Sequence, residues 1–306
     1  MARTLRASLV LLAGLLVSLP AVAKQPYTAA SRVSGATVAE VMPQVEKALS
    51  GAGFEVVGSY HPMDMTDRYG VVVCTDPGIL AAIGERPMTS RGGNTIAGAG
   101  IRVGLFKGEK KDAVEISFVN PTYLYHAYFQ GHYEDVKGAA ADAQDRLMEA
   151  LGPIGTRTGE TFGGKVEELE HYHYMIFMPY FENDVELASY DSFDAGLETV
   201  RRRLAEGVGN TAKVYEVVLP EKELAVFGVR MDDEHKGVPS WYPKLITRHV
   251  AALPYELYLV ENKAYMLHGR YRIALSWPEL TMATFSNIMD APPDTERVLG
   301  KVAAPE

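Results

Sequence analysis

A single cysteine, Cys74, is present among 306 residues, which excludes an intramolecular disulfide. No Cys-x-x-Cys-His occurs, so covalent c-type haem attachment is excluded. The P-loop, Gly-x-Ser-x-Gly and His-Glu-x-x-His patterns are absent too, which removes the motif-bearing nucleotide, serine-hydrolase and zinc-protease classes. The Gly98-Ala99-Gly100 stretch is too short to signal a nucleotide loop. There is no basic run, and nothing draws the chain to a phosphate backbone, so nucleic acid is not an expected partner. Beyond the run Ala7 to Leu19, no stretch of 18 uncharged apolar residues occurs, so no transmembrane anchor is expected.

That first run has a meaning of its own. Arg3 and Arg6 precede it, and Pro20 with Ala21-Val22-Ala23 follows it, the layout of a secretory signal peptide cut after Ala23. No cysteine stands at the cleavage point to carry a lipid. The periplasm, or secretion, is the expected destination. Removing the leader takes Arg3 and Arg6 from the 30 Lys and Arg residues, leaving 28 against 39 acids, a formal charge of −11. Roughly 280 remaining residues suffice for two modest domains, each with its own core. A hydrophobic content of 47% argues against disorder.

The chain reads as one unit used twice, offset by about 155 residues. Val45-Glu46-Lys47-Ala48-Leu49 answers to Val200-Arg201-Arg202-Arg203-Leu204, and Ile116-Ser117-Phe118-Val119-Asn120-Pro121 to Ile273-Ala274-Leu275-Ser276-Trp277-Pro278. In the first copy Val38, Val41, Val45 and Leu49 recur at helical spacing behind Thr37, a capping residue, and before Gly51 and Gly53. Strands are expected at Phe54 to Tyr60, Tyr69 to Thr75, Ile101 to Lys107 and Ala113 to Val119, and a helix over Glu134 to Leu151. The second copy is expected to place strands at Lys213 to Leu219, Leu224 to Met231, Tyr255 to Glu261 and Leu267 to Leu275, and a closing helix at Pro293 to Lys301. With strands at Tyr27 to Val33 and Val185 to Tyr190, each copy has the order β-α-β-β-β-β-α. Strands run together with two helices give an α+β fold, mainly antiparallel, with helices on one face.

These residues carry a resemblance. The helix followed by Gly53-Phe54-Glu55-Val56-Val57, then Val71-Val72-Val73-Cys74-Thr75-Asp76-Pro77, then the hairpin ending in Ile116 to Pro121, resembles the bacterial domain of unknown function 302 (DUF 302) family. The resemblance covers about residues 27 to 151 and, more weakly, 184 to 302. It implies a fold similar to that of the TATA-binding protein; the family name records no activity. The second copy has Arg230-Met231-Asp232-Asp233 where the first has its cysteine and Asp-Pro, so any role of that motif belongs to one copy. The expected organisation is a leader over 1–23, a first DUF 302-like domain over 24–154, a linker and His/Tyr/Met-rich connecting strand over 155–183, and a second domain over 184–306. Gly155 to Gly164 is the linker candidate. Insertions at Pro87 to Gly98 and His235 to Leu253 occupy matching places and are expected to line a cleft between the domains.

The densest set of coordinating groups is His171-Tyr172-His173-Tyr174-Met175. As a strand it puts His171, His173 and Met175 on one face, an imidazole and thioether set suited to copper or haem iron. His61, Met63 and Met65 repeat that spacing. The bland alternative fills a core or interface with the same aromatic and Met side chains. Cys74, ending a very apolar strand, reads as a buried small hydrophobe; as the one thiol it stays a candidate, with His126 in the aromatic stripe Tyr125, Tyr128 and Phe129. The expected function is non-catalytic binding of a small ligand, a metal or haem, or a partner protein at the domain junction. The rivals are an enzyme whose site is dispersed over both copies, using Cys74, His61 or His126, and a structural assembly component.

Overall fold

The computed structural model describes residues 24–305, so the expected leader lies outside the described residues. Strand β1 (Tyr27–Ser34) leads into α1 (Val38–Gly51), which the capping box of Thr37 and Glu40 starts: Thr37 Oγ1 accepts from Glu40 N, and Glu40 Oε2 accepts from Thr37 N at 2.8 Å. Strands β2 (Glu55–Tyr60) and β3 (Tyr69–Thr75) follow, then α2 (Pro77–Glu85), capped by Asp76 Oδ1 on Ile79 N at 2.9 Å. Strands β4 (Ile101–Phe106) and β5 (Ala113–Val119) form a hairpin; α3 (Pro121–Phe129) and α4 (Lys137–Leu151) come next. All strand pairs are antiparallel, in the order β2-β3-β4-β5-β1-β6, where β6 is Thr156–Phe162.

The second half runs β7 (Val185–Ser189), α5 (Phe193–Ala205), β8 (Thr211–Leu219), β9 (Leu224–Met231), α6 (Val238–Trp241), β10 (Tyr255–Val260), β11 (Lys263–Met266), α7 (Gly269–Ser276), α8 (Met282–Phe285) and α9 (Ala291–Ala303). Its antiparallel sheet has the order β7-β11-β10-β9-β8. The fold is α+β, with two antiparallel sheets and helices packed on them. Helices α1 and α4 lie against the first sheet, α5 and α9 against the second.

The other face of the first sheet meets the second half, and this explains the apolar run Val71-Val72-Val73-Cys74 of β3. Gly70 in β3 faces α1, where an added Cβ would lie 2.8 Å from Val38 Cγ1; Gly104 in β4 faces away, where it would lie 2.6 Å from Val250 Cγ1. With both faces covered, all seven residues of β3 are buried. Alternation is lost for the reason it is lost in sheets covered on both sides.

Five expectations need correction. Leu267 to Leu275 is not a strand: β11 ends at Met266, and α7 takes over from Gly269. All but one of the α7 residues are buried, so no face was left polar enough to set a period of 3.6. The pairing of Ile116–Pro121 with Ile273–Pro278 therefore matches a strand to a helix. Gly155 to Gly164 is not a free linker, because Thr156–Phe162 pairs with β1, and Gly159, at φ +69, sits where the register shifts beside Ala29 and Ser31. Gly159 serves a bulge on a polar edge strand, which discourages further pairing. Last, residues 171–178 form turns rather than a strand, closed by Met178 N on Met175 O at 3.0 Å, so the period-two face shared by His171, His173 and Met175 does not exist. Helices α2 and α3 also interrupt the expected β-α-β-β-β-β-α order.

Candidate functional site at the junction of the halves

From Gly100, just before β4, every second residue turns toward the second half: Gly100, Arg102 and Gly104. A Cβ on Gly100 would lie 2.9 Å from the Tyr215 ring, and one on Gly104 would lie 2.8 Å from Ala251 N, so glycine permits the close approach at both. Between them Arg102, 2% exposed, donates from Nε to Ala251 O at 3.0 Å and from Nη1 to Glu256 of β10. Arg272 of α7, equally buried, donates from Nε to Glu256 Oε2 at 2.9 Å, from Nη2 to Ala252 O at 2.6 Å, and from Nη1 to Ser276 Oγ. Burial opposes the charge on Arg272, yet Glu256 outweighs it and raises the guanidinium pKa. Two buried cations thus share one buried carboxylate across the junction.

Beside this triad lies His249, 2% exposed, packed between Tyr27 and Phe162 of the first half and Trp277 of the second, with ring centroids 4.7, 5.5 and 6.0 Å away. Its Nδ1 lies 3.1 Å from Ser276 O and its Nε2 lies 3.1 Å from Glu279 Oε1. Burial pushes Glu279 up, but His249 and the Gly164 N–H more than offset it, and the carboxyl pKa falls below its ordinary value. Tyr27 and Tyr123 donate to Ser276 O and Leu275 O, each at 2.9 Å, tying the first half to the end of α7.

An open cleft of about 380 Å³ lies at the rim of the same junction, lined by Arg32, Phe106, Gly108, Lys111, Ala113 and Glu115 of the first half and Arg248 of the second. Glu115 accepts from Arg32 Nη2 at 2.8 Å and Arg248 Nη2 at 3.0 Å; Glu160 accepts from Arg32 Nη2 at 3.1 Å. Arg248 also lies over the Phe162 ring, 3.9 Å from its centroid. Its hydrogen bond to Glu160 holds that carboxyl below its usual range. The lining carries three cations against one carboxylate, in a chain whose overall charge is negative.

The residues singled out from sequence lie elsewhere and do not converge. His171 Nδ1 contacts Arg91, and its ring stacks on Tyr180 at 4.2 Å; His173 reaches the same Tyr180 at 4.6 Å, with Nδ1 bonded to Met175 O at 2.8 Å. Each imidazole therefore has Nε2 left for a ligand, and no shared strand face aims them together with the Met175 sulfur. His61 Nδ1 is bonded to Tyr69 O at 2.8 Å, while Met63 and Met65 pack against the core, Met63 facing Arg230 and Asp232. Cys74 is fully buried, and burial drives its thiol well above the reactive range. His126 stacks on Tyr133 at 4.2 Å with Lys24 Nζ 3.1 Å from its Nδ1; burial first, and Lys24 second, push it down to about 4. Among the described residues, no group of three or more His, Cys, Asp or Glu side chains is placed to hold a metal ion.

One surface feature of the His/Tyr/Met segment stands out. Ile176 is 74% and Phe177 99% exposed, Phe177 has φ +70, and beside them Tyr174, Met178, Ile273, Leu280, Met282 and Phe285 line an apolar groove with Arg270. No helix among the described residues is long and apolar enough to cross a membrane.

The junction residues went unnoticed in sequence although a signal existed. Arg102 and Glu256 are lone charges inside apolar runs, and a charge in a run that is otherwise buried needs a partner. His249 lay within the insertion His235 to Leu253 without a motif to mark it.

No protein-family model matches the chain, and no curated protein matches it. Among solved structures, the chain is similar to the crystal structure of the uncharacterized conserved protein DUF302 from Bacillus stearothermophilus, with 19% identity over 39% of this chain and 93% of that one, at a TM-score of 0.29.

Proposed function

We propose that this is an exported, non-catalytic binding protein made of two DUF 302-like units, which takes a small anionic ligand in the cleft between its halves. The observation that carries the reading is the cleft itself. Its volume of about 380 Å³ suits a small molecule, both halves contribute to its wall, and Lys111 stands beside the Arg32 and Arg248 pairs with Glu115 and Glu160, leaving one positive charge in excess. Arginine at such a rim favours carboxylate or phosphate groups through paired N–H donors. The shared order of five strands in the two sheets supports the duplication, with β1 to β5 answering to β7 to β11. Arg3, Arg6 and the apolar run before Ala23 support export.

The test is calorimetric titration with a panel of inorganic phosphate, pyrophosphate, succinate and citrate, using residues 24–306. At least one is expected to bind, and Lys111→Glu to weaken it about tenfold, in line with the loss of one charge-assisted contact. No binding at millimolar concentrations, or binding indifferent to K111E, overturns the reading.

A partner protein is a second reading, favoured by the near-complete exposure of Ile176 and Phe177 beside an apolar groove. Copper or haem binding through His171, His173 and Met175 is a separate proposal. Titration with Cu(I), Cu(II) and haem decides it: tight binding lost in the H171A/H173A variant establishes it, and absence of any response removes it.

A further inference from the structure

The buried triad leaves a charge and a space unaccounted for. Next to it is a cavity in which the centre of a water-sized sphere has about 10 Å³ to occupy, lined by Arg102, Arg272, Tyr27, Tyr123, Tyr128 and Ser276 among other buried residues. Arg102 and Arg272 bring two positive charges, and Glu256 returns one negative charge. Glu279 is turned to His249. Several buried hydroxyls here also lack partners. The hydroxyl of Tyr128 is buried beside Arg102 without a well-formed hydrogen bond, and those of Tyr215, Tyr255 and Tyr271, within electrostatic reach of the triad, have none. The backbone acceptors in reach are used: Ser276 O by Tyr27, Leu275 O by Tyr123, Ala252 O by Arg272.

An interior with unpaired donors and a surplus positive charge selects an anion that accepts from those donors. A water molecule can accept from them too, but it brings no charge and leaves the positive surplus in place. We propose that this cavity is a binding site for a single chloride-sized monoanion, held by Arg102, Arg272 and the Tyr128 hydroxyl. The anion completes an alternating arrangement of two cations and two anions and locks the two halves together. This site is distinct from the open cleft, which is too large and too exposed to be confused with it.

The experiment uses the protein over residues 24–306, crystallised in chloride and, separately, soaked in bromide, with anomalous diffraction collected at long wavelength and at the bromine edge. An anomalous peak in the cavity is expected. In solution, Tm at constant ionic strength, with gluconate as the replacement, is expected to climb by about 2–4 °C per tenfold rise in chloride above Kd. Tyr128→Phe keeps the ring and removes one donor, and is expected to move that response to at least tenfold higher chloride. Lys111→Glu at the outer cleft is expected to leave it unchanged. Density without anomalous signal, a Tm indifferent to chloride, or a Y128F variant indistinguishable from the parent each overturns the proposal.

Discussion

Replacing Glu256 by leucine removes the one carboxylate that faces two buried guanidinium groups. Arg102 and Arg272 are each 2% exposed, and neither can reach bulk water without opening the junction. Breaking a buried pair from one side costs about 3–5 kcal/mol, because the remaining charge keeps its desolvation penalty and loses its compensation. Here two cations are stranded, so Glu256→Leu belongs at the upper end, about 5 kcal/mol. Arg102→Met is the informative contrast. It leaves Arg272 and Glu256 as a neutral pair with its bonds at 2.9 and 3.1 Å, and orphans Ala251 O, at about 1–3 kcal/mol. Trp241 and Trp277, each 1% exposed with ring centroids 6.1 Å apart at this junction, report its opening directly by fluorescence. Urea titration followed by tryptophan emission should therefore show E256L shifted further than R102M, by about 1 M at a slope near 3 kcal/mol/M. If E256L is no more costly than R102M, the triad is not the electrostatic centre of the junction and the reasoning fails.

Three further outcomes follow from the same geometry. Cys74 should be silent to a thiol reagent in the native protein and react stoichiometrically once urea unfolds it; rapid native labelling would contradict its full burial. His126, pushed down to about 4 from 6.5, binds its proton in the unfolded chain first, so it contributes a loss of stability that begins as pH falls below 6.5 and is complete below about 4. The ceiling is about 3 kcal/mol, which solvent screening of a half-buried ring reduces to about 1, and the stability-versus-pH curve of His126→Phe should lack that component. Gly104→Ala should cost about 1–3 kcal/mol by overpacking against Val250 and Ala251, whereas Gly300→Ala, where nothing lies within 4 Å of the new Cβ, should stabilise α9 by up to about 1 kcal/mol. Thermal unfolding of the two variants ranks them, and the reverse order would refute the close approach at β4.

How far the chain could be read ahead of its structure depended on where each segment's solvent lies. The helix α1 was legible because one face meets water: Val38, Val41, Val45 and Leu49 are buried, and Glu40 and Gln44 between them are exposed. Strands β3, β4, β5 and β9 were legible by a different signal, mostly apolar runs bounded by turns, and their ends match the expectation within a residue. Helix α7 defeated both signals, since Tyr271, Arg272, Ile273, Ala274 and Leu275 are all buried and no residue order can distinguish a helix from a strand when every side is covered. The candidate site failed for a related reason. Attention went to His171, His173 and Met175 because coordinating side chains clustered in sequence, whereas the groups that meet in space are 154 and 16 residues apart at Arg102–Glu256 and Arg272–Glu256.

That separation also bears on how the two halves are held. A shared strand order with one continuous core means that neither half buries its sheet alone: β4 needs the Thr247–Ala252 segment over Gly104, and β10 needs Arg102 opposite Glu256. Two units that merely sat side by side would keep polar faces toward each other, with alternating residues on β3 to β5. The fully buried β3 argues that the first sheet never faces water on that side, so an isolated fragment over 24–164 would expose Tyr69, Val71 and Val73 together with an unpaired Arg102. Such a fragment should aggregate or fail to fold, and restoring residues 165–306 as a separate chain should rescue it. A soluble, cooperatively unfolding fragment would show instead that the junction was added to a unit already complete.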